Sequence, residues 1–368
     1  MKRYVVIFSL FFCAALNGAG INCNAGISTI PLVDLEGYEN ASPEERAALV
    51  HKFGHSLRFT GFVAIKAEKL TPLLNKVYRE MEGYFHRPVE QKMQDWHNNS
   101  GQSGFSPKGN ERAAGAKKAD IKETFFIPPH LKKWPKQSPA FEATMKEYHK
   151  EMTRYAVLAM KALHEYLGEA TADVEKQVAS GQNLLRLAYY PAPSEKDEPE
   201  AVWAAAHEDL NALTLLPPAT ESGLELQTKD GEWMPVIVPE GYLIVNTGEQ
   251  VQHKTAGMIR ATRHQVVNRS QENKERFSSI FFASWAPDSS LKPFASCVKK
   301  ICTGFTDEEK KTYLSYFPDV TVSEGLTSRL IEMRSIVAPD RETVARLKTK
   351  GLLRQAPKEL VAQYPDLF

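Results

Sequence analysis

A mixed α/β (α+β) fold is what this sequence predicts, with a double-stranded β-helix (jelly roll) core flanked by N-terminal and C-terminal helices. Three observations predict it. Between residues 183 and 290 the chain falls into short strand-like runs, from "NLLRLAYYPAP" and "AAAHEDLNALTLL" through "YLIVNTGEQVQ" and "MIRATRHQVVN" to "RFSSIFFASWAP". Turn signals such as "KDG" and "PEG" separate those runs. On either side of them the apolar residues recur at helical spacing. Many short strands packed into so little chain is the pattern of a jelly roll set against helices.

The elements follow in order. "STIPLVDL" (28–35) reads as a short strand. A helix follows in "SPEERAALVHKFGHSLRFTGF", opened by a capping box at Ser42 and Glu45, with Leu49, Val50, Phe53 and Leu57 on one face. A second helix starts at Thr71 with Pro72 in its first turn and runs through Leu74, Val77 and Met81. Residues 98–120 are polar and Gly-rich, hence a loop. Phe105 and Lys108 are its weak candidates for touching a substrate at the mouth of the roll. The longest helical pattern covers 143–167, with Met152, Tyr155, Ala159, Leu163 and Tyr166 on one side, and helical patterns return after Thr306. The organisation expected is a single domain over 28–335: helical part 28–180, jelly-roll core 183–290, helical tail to 335. A helical extension covers 336–368.

Composition narrows the function. The 368 residues are 42% hydrophobic and 25% charged, with a formal net charge of +1. Forty-six basic and 45 acidic residues nearly cancel, so nucleic acid is not an expected partner. The first twenty residues stand apart: "MKR", an apolar stretch from Tyr4 to Leu16, then "NGAG". Basic start, short apolar middle and small residues make up a secretory signal. The stretch is too short to span a bilayer, so no stable membrane association is expected. Cleavage near Gly20 and export follow (periplasm, secreted or secretory lumen), with a cytoplasmic protein as the alternative. Of the cysteines beyond the signal, Cys23, Cys297 and Cys302, the odd number makes no disulfide framework. Cys297 and Cys302 read either as a pair or as isolated thiols.

The chemistry lies in the strands. Positions i and i+2 of a strand share a face, so His207 and Asp209 project together from "AAAHEDLNALTLL". On a helix they would diverge by about 200°. Two histidines are available as a third ligand from another strand. His264 lies in the alternating run "IRATRHQVVN", which favours it; His253 sits where "EQVQHKTAG" gives way to a turn. Two imidazoles and one carboxylate form the facial triad of non-haem iron(II) oxygenases, leaving three positions open. A 2-oxoacid fills two of them and dioxygen the last. The far carboxylate of that co-substrate needs a fixed cation able to grip both oxygens, for which arginine suits better than lysine. "ERFSSIFF" supplies Arg276, with Ser278 on the same strand face. Iron(II), one aspartate and a dianionic 2-oxoacid sum to −1, which one buried arginine neutralises.

Taken together, these segments resemble the isopenicillin N synthase-like family of iron(II)/2-oxoglutarate-dependent dioxygenases. "STIPLVDL" resembles the family's opening strand and "TGFVAI" its Gly-Phe segment. "HRPVEQKMQ", "ADIKETFFI" and "LRLAYYPAP" resemble its following motifs, and "HEDLNALTLL" its His-x-Asp. "RHQVVN" takes the place of the motif that carries the distal iron ligand, which implies His264 rather than His253. The resemblance implies that Arg276 and Ser278 grip the co-substrate carboxylate and that Tyr190 assists. It spans roughly 28–335. Three departures stand out: Ala188 where the family often has Asn, Gln265 where it has Arg, and "KAEKL" where it has Asn-His-Gly. None of them removes an anchor.

The expected activity is oxidative decarboxylation of 2-oxoglutarate, with Fe(2+) and O2, coupled to hydroxylation or desaturation of a small-molecule substrate by a monomer. Three alternatives remain open in the sequence. An iron(II) oxidase of the same fold would bind its substrate's carboxylate at Arg276 and Ser278. A non-catalytic jelly-roll binding module, and a zinc hydrolase on His207, Asp209 and His264, are the others.

Overall fold

The computed structural model describes residues 28–96, 102–110, 121–136, 138–192, 203–268 and 274–368. The expected signal (1–20), Cys23 and parts of the 98–120 segment lie outside the described residues.

The chain begins with β1 (Leu32–Val33), α1 (Pro43–Thr60) and β2 (Phe62–Lys66). The Glu45 backbone N–H donates to Ser42 Oγ and the Ser42 N–H to the Glu45 carboxylate, so the capping box opens α1 as its sequence predicts. Next come α2 (Thr71–Phe85), α3 (Val89–Lys92), β3 (Gly104–Ser106), β4 (Glu123–Ile127), α4 (Pro139–Leu167) and α5 (Val174–Ala179). α1 and α2 both pack on α4. Gly54 sits inside α1 because a Cβ there would come within 2.0 Å of the Tyr166 ring of α4. A mid-helix glycine costs on the order of 0.5–1 kcal/mol, offset here by the close approach of two helices.

The strand-rich part comprises β5 (Leu184–Tyr190), β6 (Ala204–His207), β7 (Leu213–Leu216), β8 (Leu224–Gln227), β9 (Trp233–Pro235) and β10 (Tyr242–Thr247). After these come α6 (Glu249–Lys254), β11 (His264–Val266) and β12 (Arg276–Ala283). They form two facing sheets. The major sheet runs β1-β2-β10-β7-β12-β5-β4-β3 and the minor sheet β6-β11-β8-β9. Side-chain alternation assigns each strand's two faces. On β12, Phe277 and Phe281 join the core shared with α2 and α4, while Ile280 belongs to the core between the sheets, with Phe282 packed on it. β5 alternates in step: Leu185 and Leu187 face the helices, Ala188 and Tyr190 the interior.

Beyond the roll lie α7 (Ala295–Ile301), α8 (Asp307–Leu314), α9 (Val322–Glu332), α10 (Arg341–Thr349) and α11 (Lys358–Gln363). Ile331 of α9 shares a small separate core with Val344, Leu347, Leu353 and Leu360 of the C-terminal extension. Cys297 is buried, Cys302 half-buried, and both are free thiols.

Four local expectations need correction. "AAAHEDLNALTLL" is not one strand: β6 ends at His207, and Asp209 lies in the connector that crosses from the minor to the major sheet. "GEQVQ" does not extend β10 but forms α6, whose backbone N–H groups at Gly248, Glu249 and Gln250 donate to the carbonyls of Ala212, Asp209 and Asn211. Helix N-termini need such acceptors, and the connector supplies them. "IRATRHQVVN" contributes only the three residues of β11. The 98–120 segment is not all loop, because β3 pairs with β4 and seats Phe105 at 1% exposure in the helix-side core.

Candidate metal centre

His207 and His264 are direct partners across β6 and β11, so both imidazoles leave the minor sheet on its inner face. Their rings lie 4.5 Å apart, centre to centre. Each is oriented alike: His207 Nδ1 donates to Ala205 O at 2.8 Å and His264 Nδ1 to Thr262 O at 2.9 Å. A backbone carbonyl on Nδ1 fixes the tautomer and leaves the Nε2 lone pair turned inward. Burial first, then the neighbouring His264, hold His207 well below its ordinary pKa, so it is neutral at pH 7.

Asp209 comes from the connector and is aimed by the major sheet. Its Oδ2 accepts from Thr214 Oγ1 of β7 at 2.6 Å and from Asn246 Nδ2 of β10 at 2.8 Å. Asn211 Nδ2 in turn donates to Leu213 O at 2.7 Å and to Thr214 Oγ1, steadying the same turn. Gly248 presses against this connector; a Cβ there would meet Asn211 O at 2.2 Å and Asp209 O at 2.8 Å. Burial opposes the charge on Asp209, but the two imidazoles and the two hydrogen bonds outweigh it. The carboxyl sits below its ordinary pKa. Asp209 Oδ1 lies 3.6 Å from His207 Nε2 and Oδ2 3.8 Å from His264 Nε2. The three candidate ligand atoms all lie within 4.8 Å of one another.

His253, the alternative third ligand, is elsewhere. It rides on α6, its Nε2 bonds Pro318 O at 2.8 Å, and its ring packs on Phe317.

Deeper between the sheets, Arg276, Ser278 and Tyr190 meet on the inner wall of the major sheet. Arg276 and Tyr190 are register partners, and Ser278 lies opposite Ala188. Arg276 is 2% exposed and Ser278 1%. The guanidinium stacks over Tyr190 at 5.0 Å and over Trp203 at 5.9 Å, and Nε donates to Glu221 O at 3.0 Å. Its buried Nη1 has no hydrogen-bond partner among the described residues. An orphaned guanidinium nitrogen costs on the order of 1–3 kcal/mol or more, so the group is built for a partner that arrives. A cavity of about 820 Å³ opens beside the start of β12, lined by Tyr78, Glu82, Thr220, Glu275, Phe277 and by Glu221, the residue whose carbonyl accepts from Arg276.

The donor set suits a divalent metal with open positions, and Arg276 suits a carboxylate. Comparisons with known proteins point to iron(II) and 2-oxoglutarate chemistry. Residues 30–149 match the family model for the non-haem dioxygenase in morphine synthesis N-terminal region, and residues 181–284 match the 2OG-Fe(II) oxygenase superfamily. The chain belongs to the 2OG-Fe(II) oxygenase superfamily. This oxygenase is 28% identical over 283 residues to jasmonate-induced oxygenase 2 of Arabidopsis thaliana, covering 74% of each chain. It is 27% identical over 299 residues to the 2-oxoglutarate-Fe(II) type oxidoreductase hxnY of Emericella nidulans, covering 73% of this chain and 83% of that one. Among solved structures, a 2OG-Fe(II) oxygenase family protein from Caulobacter crescentus superposes with a TM-score of 0.71 at 27% identity, over 83% of this chain and all of that one. The oxygenase is an iron(II)-dependent enzyme with 2-oxoglutarate and O2 as co-substrates, and its core is a jelly roll.

Sequence reasoning missed Thr214, Asn246 and Asn211, which aim Asp209. Their signal was present in "LNALTLL" and "IVNT", where polar residues interrupt otherwise apolar strands.

Proposed function

We propose that His207, Asp209 and His264 hold iron(II), and that Arg276, Ser278 and Tyr190 hold the far carboxylate of 2-oxoglutarate. The reaction couples oxidative decarboxylation of that co-substrate to hydroxylation or desaturation of a small organic molecule. In a hydroxylation, one oxygen atom of O2 ends in succinate and the other in the product, with CO2 released. One observation carries the assignment of Arg276: a guanidinium nitrogen buried without a hydrogen-bond partner among the described residues, beside a buried hydroxyl, on the same inner wall as the groups that aim Asp209.

Bound iron(II) supplies the redox chemistry that activates O2. The chain's own residues do the rest. The carbonyls of Ala205 and Thr262 keep the two Nε2 lone pairs pointed inward. Thr214 and Asn246 keep Asp209 ionised and aimed. Arg276 orients the co-substrate and balances its second charge. Anaerobic titration of the iron(II)-loaded enzyme with 2-oxoglutarate tests the reading, followed by measurement of succinate and CO2 on admitting air. Lack of 2-oxoglutarate affinity with iron bound would instead give Arg276 to a carboxylate of the substrate itself.

The mature enzyme is exported after cleavage near Gly20; the order of basic, apolar and small residues in 1–20 supports this. N-terminal sequencing of protein from its native cell checks it, and an intact Met1 on cytosolic protein would sink it. The enzyme acts as a monomer, since one chain supplies all three ligands and Arg276. Light scattering on the loaded enzyme reads that directly.

A further inference from the structure

The connector that carries Asp209 rests on α6, and α6 is itself held by the C-terminal helices. Glu249 stands in the first turn of α6, and its backbone N–H donates to Asp209 O at 2.8 Å. Its carboxylate is gripped by Arg329 of α9 through two hydrogen bonds, Nε to Oε2 at 2.8 Å and Nη2 to Oε1 at 2.9 Å. A guanidinium fork of this kind fixes a carboxylate in orientation as well as distance, which a single contact does not. Glu249 therefore joins the connector, through its backbone, to α9, through its side chain.

The fork is held from behind. Arg329 Nη1 donates to Glu332 Oε2 at 2.6 Å, and Glu332 Oε1 accepts the Gln355 backbone N–H at 3.0 Å. The Leu353 N–H donates to Ser328 Oγ at 3.1 Å, and Leu353 lies in the separate core with Ile331, Val344, Leu347 and Leu360. At its other end α9 is seated on the roll, where Val322 joins the main core and its N–H donates to Ser289 O at 2.9 Å. A continuous run of polar contacts thus leads from Gln355 through Glu332, Arg329 and Glu249 to the carbonyl of Asp209.

Charge explains why an arginine stands in the middle of this run. Glu208 and Glu332 repel the Glu249 carboxylate, and Arg329 attracts it. The Glu249 and Glu332 side chains are only 22% and 8% exposed, so without Arg329 two largely covered carboxylates would repel each other across the space the guanidinium fills. Glu249 would relax by shifting the first turn of α6, the turn whose N–H holds Asp209. Thr214 and Asn246 bind the Asp209 carboxylate but not its backbone. The co-substrate end of the site stands apart from this run. The connector meets β12 at Ala283, its last residue, whereas Arg276 is its first.

We propose that Arg329 is a positioning residue for the metal centre: through Glu249 it keeps the Asp209 connector in place, so that the C-terminal helices set the affinity for iron(II). This rests on His207, Asp209 and His264 being the iron ligands. The test measures two affinities of the full-length chain under anaerobic conditions: iron(II) by competition with a chromophoric chelator, and 2-oxoglutarate by calorimetry at saturating iron(II). Arg329→Gln is expected to weaken iron(II) binding about tenfold while leaving the 2-oxoglutarate Kd within about twofold. Arg329→Lys keeps the charge and recovers a large part of the loss. Glu249→Gln breaks the same fork from the other side and loses iron(II) affinity to a similar extent. It takes the place of Arg329→Gln if circular dichroism shows that variant unfolded. The double variant is expected to be no weaker than the worse single one, because both remove one contact. Unchanged iron(II) affinity in either folded glutamine variant overturns the proposal. So does a parallel fall in 2-oxoglutarate affinity, which general loosening of the fold would give, or a lysine variant no better than the glutamine one. An unaltered enzyme that binds no stoichiometric iron(II) fails earlier, at the reading of the three ligands, and this proposal falls with it.

Discussion

The two sheets of the roll carry different parts of the site, and they are built differently. The major sheet is covered on both faces, by α2 and α4 outside and by the minor sheet inside. Its strands β10 and β12 are buried at nearly every position. The minor sheet is thinner: β6 runs through three half-buried residues to His207, and β11 offers only His264, Gln265 and Val266. The proposed co-substrate anchors, Arg276 and Ser278, are on the covered sheet. The two imidazoles are on the thin one. Asp209 sits on the connector between them and takes its hydrogen bonds from the major sheet. An ion held by these three side chains would join the two sheets, and its site would depend on both being held in place.

The comparison predicts which changes break the site and by how much. Removing a ligand has the largest effect. His207→Ala, Asp209→Ala or His264→Ala should abolish stoichiometric iron(II) binding and activity, whereas His253→Ala on α6 should leave iron binding intact; metal analysis of the purified variants decides it. Arg276→Ala comes next. Loss of a buried charge-assisted contact costs on the order of 3–5 kcal/mol, so 2-oxoglutarate affinity should fall a hundredfold or more while iron stays bound. Calorimetric titration with 2-oxoglutarate reads both.

Smaller effects probe the joint between the sheets. Thr214→Val keeps the shape of the side chain but withdraws the hydroxyl that aims Asp209. Groups that orient a ligand are worth roughly 10- to 100-fold in metal affinity, and a competition titration for iron(II) should show a loss in that range. An unchanged affinity would mean that Asn246 alone aims the carboxylate. Ser278→Ala should be mildest, at about 1 kcal/mol for one hydrogen bond to the co-substrate. It should raise the 2-oxoglutarate Kd about fivefold with no change in iron content.

Much of this molecule is legible in its sequence, and the gaps have physical reasons. Ser42 and Glu45, Pro72 and the apolar face of α4 mark their helices because capping and amphipathic spacing are local properties. Arg276 and Ser278 share a strand face because β12 is long enough for alternation to hold. The two-residue spacing of His207 and Asp209 points to a pair that the fold does bring together, but for an incomplete reason. Only His207 is on a strand; Asp209 reaches the site because its connector is bound by α6 and its side chain by β7 and β10. In the same way "GEQVQ" reads as a strand continuing β10, but becomes α6 because the connector's carbonyls accept its first N–H groups.

By itself, then, the sequence determined the class of the fold, the helices with their caps, and the residue types able to hold iron and a 2-oxoacid. Those follow from periodicity, local hydrogen bonding and side-chain chemistry, all carried by residues near one another in the chain. Tertiary structure alone decided that His264 meets His207 across two strands while His253 turns to Pro318. It alone decided that Thr214 and Asn246 aim Asp209. Each of these rests on strand register between segments far apart in sequence, and register is set by how a whole sheet pairs and which face it buries.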